Sequence, residues 1–367
     1  MRKTGFTFIT TLLLISCNKK EAKIDGYEIN GIVENISDST IVTLGDFFKP
    51  NDSTFVIGGK FRFTGKVEKP KKIVLGIKDT RDFAELWIEN SKISFNAEKD
   101  KFMDRVINGS EIQKQADIHY ERIKPLKKKF ESLYQASMDQ SLSQIERDSA
   151  VMKYSALMPQ MTEISENFVK EYPDFLESIA LLNRYKREWG KEKSNKYFSK
   201  MNKEIKESSN GKEIAYYLSL PTTPKIGDKY VDFSLKNFEE KDIKLSDIKA
   251  KYTLVEFWSS WCGPCRKSNP ELVKEYEKYK DQGFEIIGVS LDQNKESWIN
   301  AIEKDGLTWT NVIDLKGFEG DVSLIYNVNG IPDNFLMDQN GIIIDRRLRG
   351  DKLKNKLEEI FAKQDSL

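Results

Sequence analysis

The chain predicts an α/β domain with a mixed sheet and flanking helices over residues 221–367, preceded by a small antiparallel β-domain and a helical connector. Three observations carry this. From Tyr252 onward, β-rich runs alternate with helical stretches, the order that lays helices on a sheet. Residues 27–110 hold short apolar runs, several of them alternating with polar residues, separated by Gly, Asn, Asp and Pro. Residues 111–220 are poor in Gly, and their apolar positions recur every three or four residues, the period of a helix. A length of 367 residues suits two or three such domains.

The N-terminus reads as an export signal. Arg2 and Lys3 precede a mostly apolar stretch from Phe6 to Ile15, too short to span a bilayer but long enough for the core of a signal peptide. It ends in Leu14, Ile15, Ser16 and Cys17, which resembles a bacterial lipobox. The resemblance implies a lipoprotein signal peptide over 1–16, cut before Cys17, with the Cys17 thiol as the nucleophile that forms the thioether to lipid. An ordinary signal peptide with an incidental Cys17 is the alternative. Residues 17–26 are polar and read as the tether behind the anchor.

The β-domain, 27–110, is expected to use runs at 27–33, 40–44, 54–57, 60–64, 72–75, 86–88 and 92–95 as strands. Gly58 and Gly59 stand between two of them, as a two-residue hairpin turn requires. In the connector, Ile112, Ala116, His119, Ile123, Leu126, Phe130 and Leu133 mark one helical stripe. Further helices are expected over 142–171, 174–189, 191–208 and 211–219, with Pro159 kinking or ending one and Pro173 another. Pro221 and Pro224 mark a linker. Beyond it, strands are expected at 252–258, 284–289, 334–337 and 342–345, and helices at 270–280, 295–305 and 351–363.

Composition removes several function classes. Lys and Arg number 59 against 58 Asp and Glu, a net charge of +1 that gives no electrostatic footprint for nucleic acid. His119 is the single histidine, so no multi-histidine metal site exists, and packing beside the apolar stripe is its expected role. Three cysteines in this length make no disulfide scaffold. The Lys127 to Lys129 run reads as a solvated helix face, Asp292 as a cap for a turn or the next helix, and Trp298 and Trp309 as core.

The chemistry sits in Trp261, Cys262, Gly263, Pro264 and Cys265, directly after an apolar strand and opening a helix. A helix N-terminus favours a thiolate, which makes Cys262 the nucleophile. Cys265, one turn deeper, resolves the mixed disulfide that forms, and the spacing lets the pair close into a small ring. A zinc site would need more ligands than these two cysteines supply, so no metal and no cofactor is expected. Glu256 lies six positions before Cys262 within an otherwise apolar strand. Burial there raises a carboxyl pKa and suits it to exchange a proton with Cys265; a salt-bridged Glu256 is the alternative.

At this point a resemblance is plain. Residues 252–266, YTLVEFWSSWCGPCR, look like a thioredoxin active-site segment, and 224–367 is similar to the TlpA/ResA-like envelope thiol–disulfide oxidoreductases. Trp258 and Trp261 match the family's active-site tryptophans, Pro270 the proline that kinks its active-site helix, and Ile331 with Pro332 its cis-proline loop. The 67 residues from Cys265 to Pro332 fit the extra helix and strand of the envelope branch. The resemblance implies a thioredoxin-like fold, a redox-active Cys262–Cys265 disulfide, a buried acid at Glu256, a cis Pro332, and substrate contacts from Trp261, Gly263, Pro264 and the Ile331 backbone. Residues 52–65 and 108–110 loosely resemble the N-terminal β-domain found ahead of such domains, which has no agreed activity.

The expected function is a lipid-anchored, periplasm-facing thiol:disulfide oxidoreductase. Cys–Gly–Pro–Cys is the pattern of the family's reductants, which favours reduction of disulfide-containing envelope proteins and recharging by a membrane thiol reductant, since the envelope is oxidising. Cytochrome c assembly proteins, periplasmic disulfide isomerases and stress-damaged thiols are all open as substrates. One alternative is a binding module of β-domain and helices in which redox chemistry is secondary. Another is a peroxiredoxin-like antioxidant; Val255 and Ser259 replace the Pro and Thr of the peroxidase pattern.

Overall fold

The computed structural model describes residues 25–46 and 50–362, which form two compact units. The expected leader and Cys17 lie outside the described residues. The first unit runs to Phe168 and takes in Phe175–Glu177; the second holds Val169–Asp174 and everything from Ser178.

The first unit opens with β1 (Tyr27–Glu34), β2 (Ile41–Gly45), β3 (Pro50–Phe55), β4 (Lys60–Gly65), β5 (Lys71–Ile77), β6 (Phe83–Ile88), β7 (Lys92–Glu98) and β8 (Val106–Asn108). They build two sheets, ordered β4-β1-β7-β8 and β3-β2-β5-β6. Ile29, Phe61 and Phe95 from one sheet and Val42, Leu75 and Leu86 from the other share a single core. Apolar residues alternate inward along β1 and β4, the pattern of a sheet with one wet face. Gly58 and Gly59 turn the chain between Ile57 and Lys60 with φ of 57° and 72°. Positive φ at both positions is what a primed hairpin turn requires. One pairing departs from the antiparallel expectation: β1 and β7 run parallel, because the chain leaves that sheet and returns between them.

The helices follow the predicted stripe. α1 (Glu111–Met138) is capped by Ser110, which accepts from the Gln113 N–H. α2 (Gln144–Ser155) starts on a capping box of Ser143 and Glu146. α3 (Met158–Glu171) begins just before Pro159, so that proline sits in a first turn and costs no hydrogen bond. The helix expected over 142–171, with a kink or end at Pro159, breaks at Ala156–Leu157, just before that proline. α4 (Leu176–Phe198) is interrupted at Gly190, φ 72°. α5 (Lys203–Lys206) and α6 (Ser209–Ser219) complete the stretch. The helices expected as one connector divide between the units, α1 and α2 with the first, α5 and α6 with the second.

The second unit adds β9 (Ser234–Lys236), β10 (Asp242–Lys244), β11 (Tyr252–Trp258), α7 (Gly263–Tyr279), β12 (Phe284–Ser290), α8 (Lys295–Asp305), β13 (Thr310–Ile313), α9 (Asp321–Ile325), β14 (Asp333–Asp338), β15 (Ile343–Arg346) and α10 (Asp351–Ala362). Its mixed sheet has the order β10-β9-β13-β12-β11-β14-β15. β11 is parallel to β12 and antiparallel to β14, and it is buried from Thr253 to Trp258. Leu254 and Trp258 face a core built with α7, α8 and α10, while Val255 and Phe257 face a second core that includes α9. The short strands β9, β10 and β13 carry too few residues for a periodic signal and were not foreseen. Among the described residues no helix is long and apolar enough to cross a membrane.

Candidate active site

β11 ends at Trp258, and a short turn delivers Cys262 as the N-cap of α7. Gly263 and Pro264 occupy the first two helical positions, where Pro264 loses no hydrogen bond. Cys262 and Cys265 form a disulfide with a Cα–Cα distance of 5.3 Å. The Cys265 N–H donates to the Cys262 Sγ at 3.2 Å. A backbone donor at a helix N-terminus stabilises a thiolate at that sulfur, so the geometry suits Cys262 as the nucleophile. Both cysteines are buried, while Trp261 beside them is 60% exposed.

The turn before Cys262 is held from β12. Asp292 accepts from the Ser260 N–H at 2.8 Å, the Ser260 hydroxyl at 2.6 Å and the Ser290 hydroxyl at 2.7 Å. Its carboxylate ties the active-site turn and does not cap α8, whose N-cap is Asn294. Arg266 adds a second brace: it donates to the Ser260 carbonyl at 3.1 Å and forms a two-point ion pair with Asp305.

The Ile331–Pro332 bond is cis. Ile331 is half-buried and packs against both cores of the unit, the first of which includes Cys262 and Cys265. Pro332 leads directly into β14.

Glu256 is buried on the face of β11 between Leu254 and Trp258, the face that packs on α7 through Cys265 and Leu272. It is salt-bridged: Arg349 Nη1 lies 3.0 Å from one carboxylate oxygen, and Asn334 Nδ2 donates to the other at 2.9 Å. Burial pushes the Glu256 carboxyl above its usual range, and Arg349 and Asn334 only partly offset it. Glu256 is therefore salt-bridged, the alternative reading, and still biased towards its protonated form. Opposite it on β12 stands Gly288, where a Cβ would fall 2.5 Å from Asn311 Oδ1 and 3.2 Å from Trp258 Nε1. A side chain at that position would collide with Asn311 and crowd the Trp258 and Trp309 indoles. Trp298 and Trp309 are core residues, as expected.

Arg349 and Asn334 were not singled out in the sequence. Arg346, Arg347 and Arg349 stand close together in the sequence, and nothing in that pattern says that Arg349 meets Glu256 while the other two pair with Asp333. Among the described residues, no three His, Cys, Asp or Glu side chains converge as a metal-binding group.

Thiol-disulfide oxidoreductase ResA of Bacillus cereus is 34% identical over 147 residues, spanning 40% of this chain and 83% of the relative. The chain belongs to the ResA-like thiol-disulfide oxidoreductases. ResA of Geobacillus kaustophilus is likewise 34% identical, over 142 residues and 80% of its length. The model of the AhpC/TSA family matches residues 226–346 of this oxidoreductase, and that of a domain of unknown function, DUF4369, matches 27–116. Among solved structures, the thioredoxin domain of a thiol-disulfide oxidoreductase from Bacteroides vulgatus is 37% identical, covering 38% of this chain and 99% of that chain with a TM-score of 0.36. A thiol-disulfide oxidoreductase from Bacteroides fragilis is 34% identical, covering 36% and 99%, with a TM-score of 0.35.

Proposed function

We propose that this oxidoreductase works in the cell envelope, held by a lipid on Cys17, and reduces disulfides of exported proteins. The observation that carries the reaction is the Cys262–Cys265 disulfide at the N-terminus of α7, with Cys262 as N-cap. The reduced pair is the active form. The Cys262 thiolate attacks one sulfur of the substrate disulfide, forming a mixed disulfide and releasing the other sulfur as a thiolate that takes up a proton. Cys265 loses its proton to the Glu256 carboxylate and attacks Cys262. The second substrate thiol leaves, and the enzyme carries the new disulfide. Two electrons pass to the substrate, and a membrane thiol reductant restores the pair. Trp261, Gly263, Pro264 and the Ile331 backbone receive the substrate segment around its cysteine.

Two measurements test this. Soluble residues 18–367 are expected to reduce insulin, and Cys262→Ser to abolish turnover; continued reduction by that variant would refute the mechanism. The reduction potential of the pair tests the direction. A value near the roughly −270 mV of thioredoxin fits a reductant, whereas one near the roughly −120 mV of strong periplasmic oxidants makes the protein a disulfide donor.

A second role for the first unit rests on its having a core of its own. It would bind a partner and supply specificity. Binding that survives Cys262→Ser with Cys265→Ser supports that role; no retained partner argues against it.

A further inference from the structure

The active site described above draws its residues from 256–349, yet a side chain far upstream reaches it. Arg187 lies on α4 within the second unit, ahead of the span matched by the AhpC/TSA family model. Its guanidinium donates from Nη1 to the Val328 carbonyl at 2.9 Å. From Nη2 it donates to the Phe318 carbonyl at 2.6 Å and to Glu319 Oε1 at 2.7 Å. Its neighbour Lys186, itself buried, donates to Glu319 Oε2 at 2.9 Å. Two consecutive residues of one helix thus hold two separate loops.

Those loops frame the disulfide. Phe318 sets its ring against that of Trp261, centroids 6.4 Å apart, so the exposed tryptophan before Cys262 leans on a residue whose backbone Arg187 holds. Val328 begins the short segment that runs through Ile331 to cis Pro332. That segment is gripped from its other side by Arg346, which donates to the carbonyls of Tyr326 at 3.4 Å and Asn327 at 3.2 Å and pairs with Asp333 at 2.7 Å. Carbonyls 326, 327 and 328 are therefore all claimed by arginines, and Arg187 ties Val328 directly to the Phe318 carbonyl. A planar guanidinium can span two carbonyls at a fixed separation, which a lysine ammonium cannot do as a fork.

We infer that Arg187 is a positioning residue for substrate docking, setting the spacing between the Trp261–Phe318 platform and the Ile331 backbone. The inference rests on the proposed reduction of protein disulfides at this site. It also narrows the substrate class: the platform is aromatic and Ile331 aliphatic, so the site suits a cysteine flanked by apolar residues in an extended segment. The segment of α4 that carries Lys186 and Arg187 then forms part of the docking site.

The test compares the soluble chain, residues 18–367, with Arg187→Gln and Arg187→Lys, using insulin as the protein disulfide. Arg187→Gln is expected to raise KM roughly tenfold, equivalent to about 1.4 kcal/mol of uniform binding. Its kcat is expected to stay within about twofold, because Arg187 touches neither cysteine. The reduction potential of the pair is expected not to move. Arg187→Lys keeps the charge and most of the packing, so it guards against loss of fold, and its KM is expected to fall between the other two. An unmoved KM in both variants, or a fall in kcat with KM unchanged, overturns the inference. A wild-type chain that leaves insulin oxidised removes the proposed function together with it, so the two failures are told apart.

Discussion

Two glutamates, one in each unit, are equally buried and have opposite electrostatics. Glu177, in the first unit, has Lys72 Nζ at 2.9 Å, Trp87 Nε1 at 2.8 Å and His119 Nδ1 at 3.6 Å. Burial alone pushes its carboxyl up, but Lys72, His119 and Trp87 together hold it down at about 2. Glu256, in the second unit, has one arginine and one amide, and the amide also donates to the Leu348 carbonyl at 2.8 Å. There burial wins and the carboxyl is raised. The difference shows that burial alone does not decide a carboxylate's charge; the donors around it do. With a full set of donors a buried carboxylate is a fixed anchor. With a partial set burial keeps it biased towards the neutral form, the property that the proposed proton transfer from Cys265 would use.

The comparison can be broken most severely at Glu177. Glu177→Ala leaves the buried Trp87 indole N–H without its acceptor and takes one of two carboxylates from half-buried Lys72, which keeps Glu85 at 3.2 Å, so it is expected to destabilise the first unit by about 3 kcal/mol, read from the shift of its urea midpoint. A loss near zero would end the anchor reading. The same residue predicts a pH dependence. Its folded pKa lies below its unfolded value, so its stabilisation is complete above about pH 4.5 and is lost as the pH falls through about 2. Glu177→Gln should flatten acid unfolding across that window, by about 3 kcal/mol between its ends.

Glu256→Gln comes next. Loss of a proton acceptor is expected to lengthen the life of the mixed disulfide on Cys262 by about 10²-fold at neutral pH, measured by rapid quench. In the wild type the resolving rate should rise with pH through the raised Glu256 carboxyl value, and in the variant it should stay flat. The stability sign is opposite to that of Glu177. With its folded pKa raised, the contribution of Glu256 is complete below about pH 4.5 and is lost as the pH climbs through the folded value. Glu256→Gln should therefore become more stable relative to wild type as the pH is raised from 4 to 8. A variant that lost stability over that range would overturn the assignment.

Smaller effects sharpen the contrast. Arg349→Gln removes the cation that opposes burial and should move the pH midpoint of the resolving step upward. Lys72→Met should cost the first unit about 1 kcal/mol and move its acid-unfolding midpoint upward, since Trp87 and His119 still face Glu177. Equal effects at both glutamates would erase the distinction between them.

Much of the site was legible because its chemistry is local. Cys262 and Cys265 lie three residues apart at the start of one helix, and Gly58 with Gly59 writes its own turn. Glu256 stood out as a carboxylate in an apolar strand. Its partners did not: Asn334 is 78 positions away and Arg349 is 93. Asp292 was legible as a polar residue after a strand, but the turn that it holds lies 32 positions earlier. Pro159 marked a break in the helix, but whether a proline ends one helix or sits in the first turn of the next depends on where the caps fall. The parallel pairing of β1 with β7 left no mark in either strand, since each reads as an ordinary alternating run.

The sequence by itself determined the redox pair, its place after a buried strand, the cis-proline loop through its resemblance, and the succession of β, helical and α/β regions. These follow from backbone preferences and periodicities that act over a few residues. Only the tertiary structure decided which cation meets Glu256, which carboxylate steadies the turn before Cys262, and that Arg187 reaches 141 positions forward to the Val328 carbonyl. Such contacts depend on which surfaces pack together, and a buried charge takes whatever partner the packing brings to it.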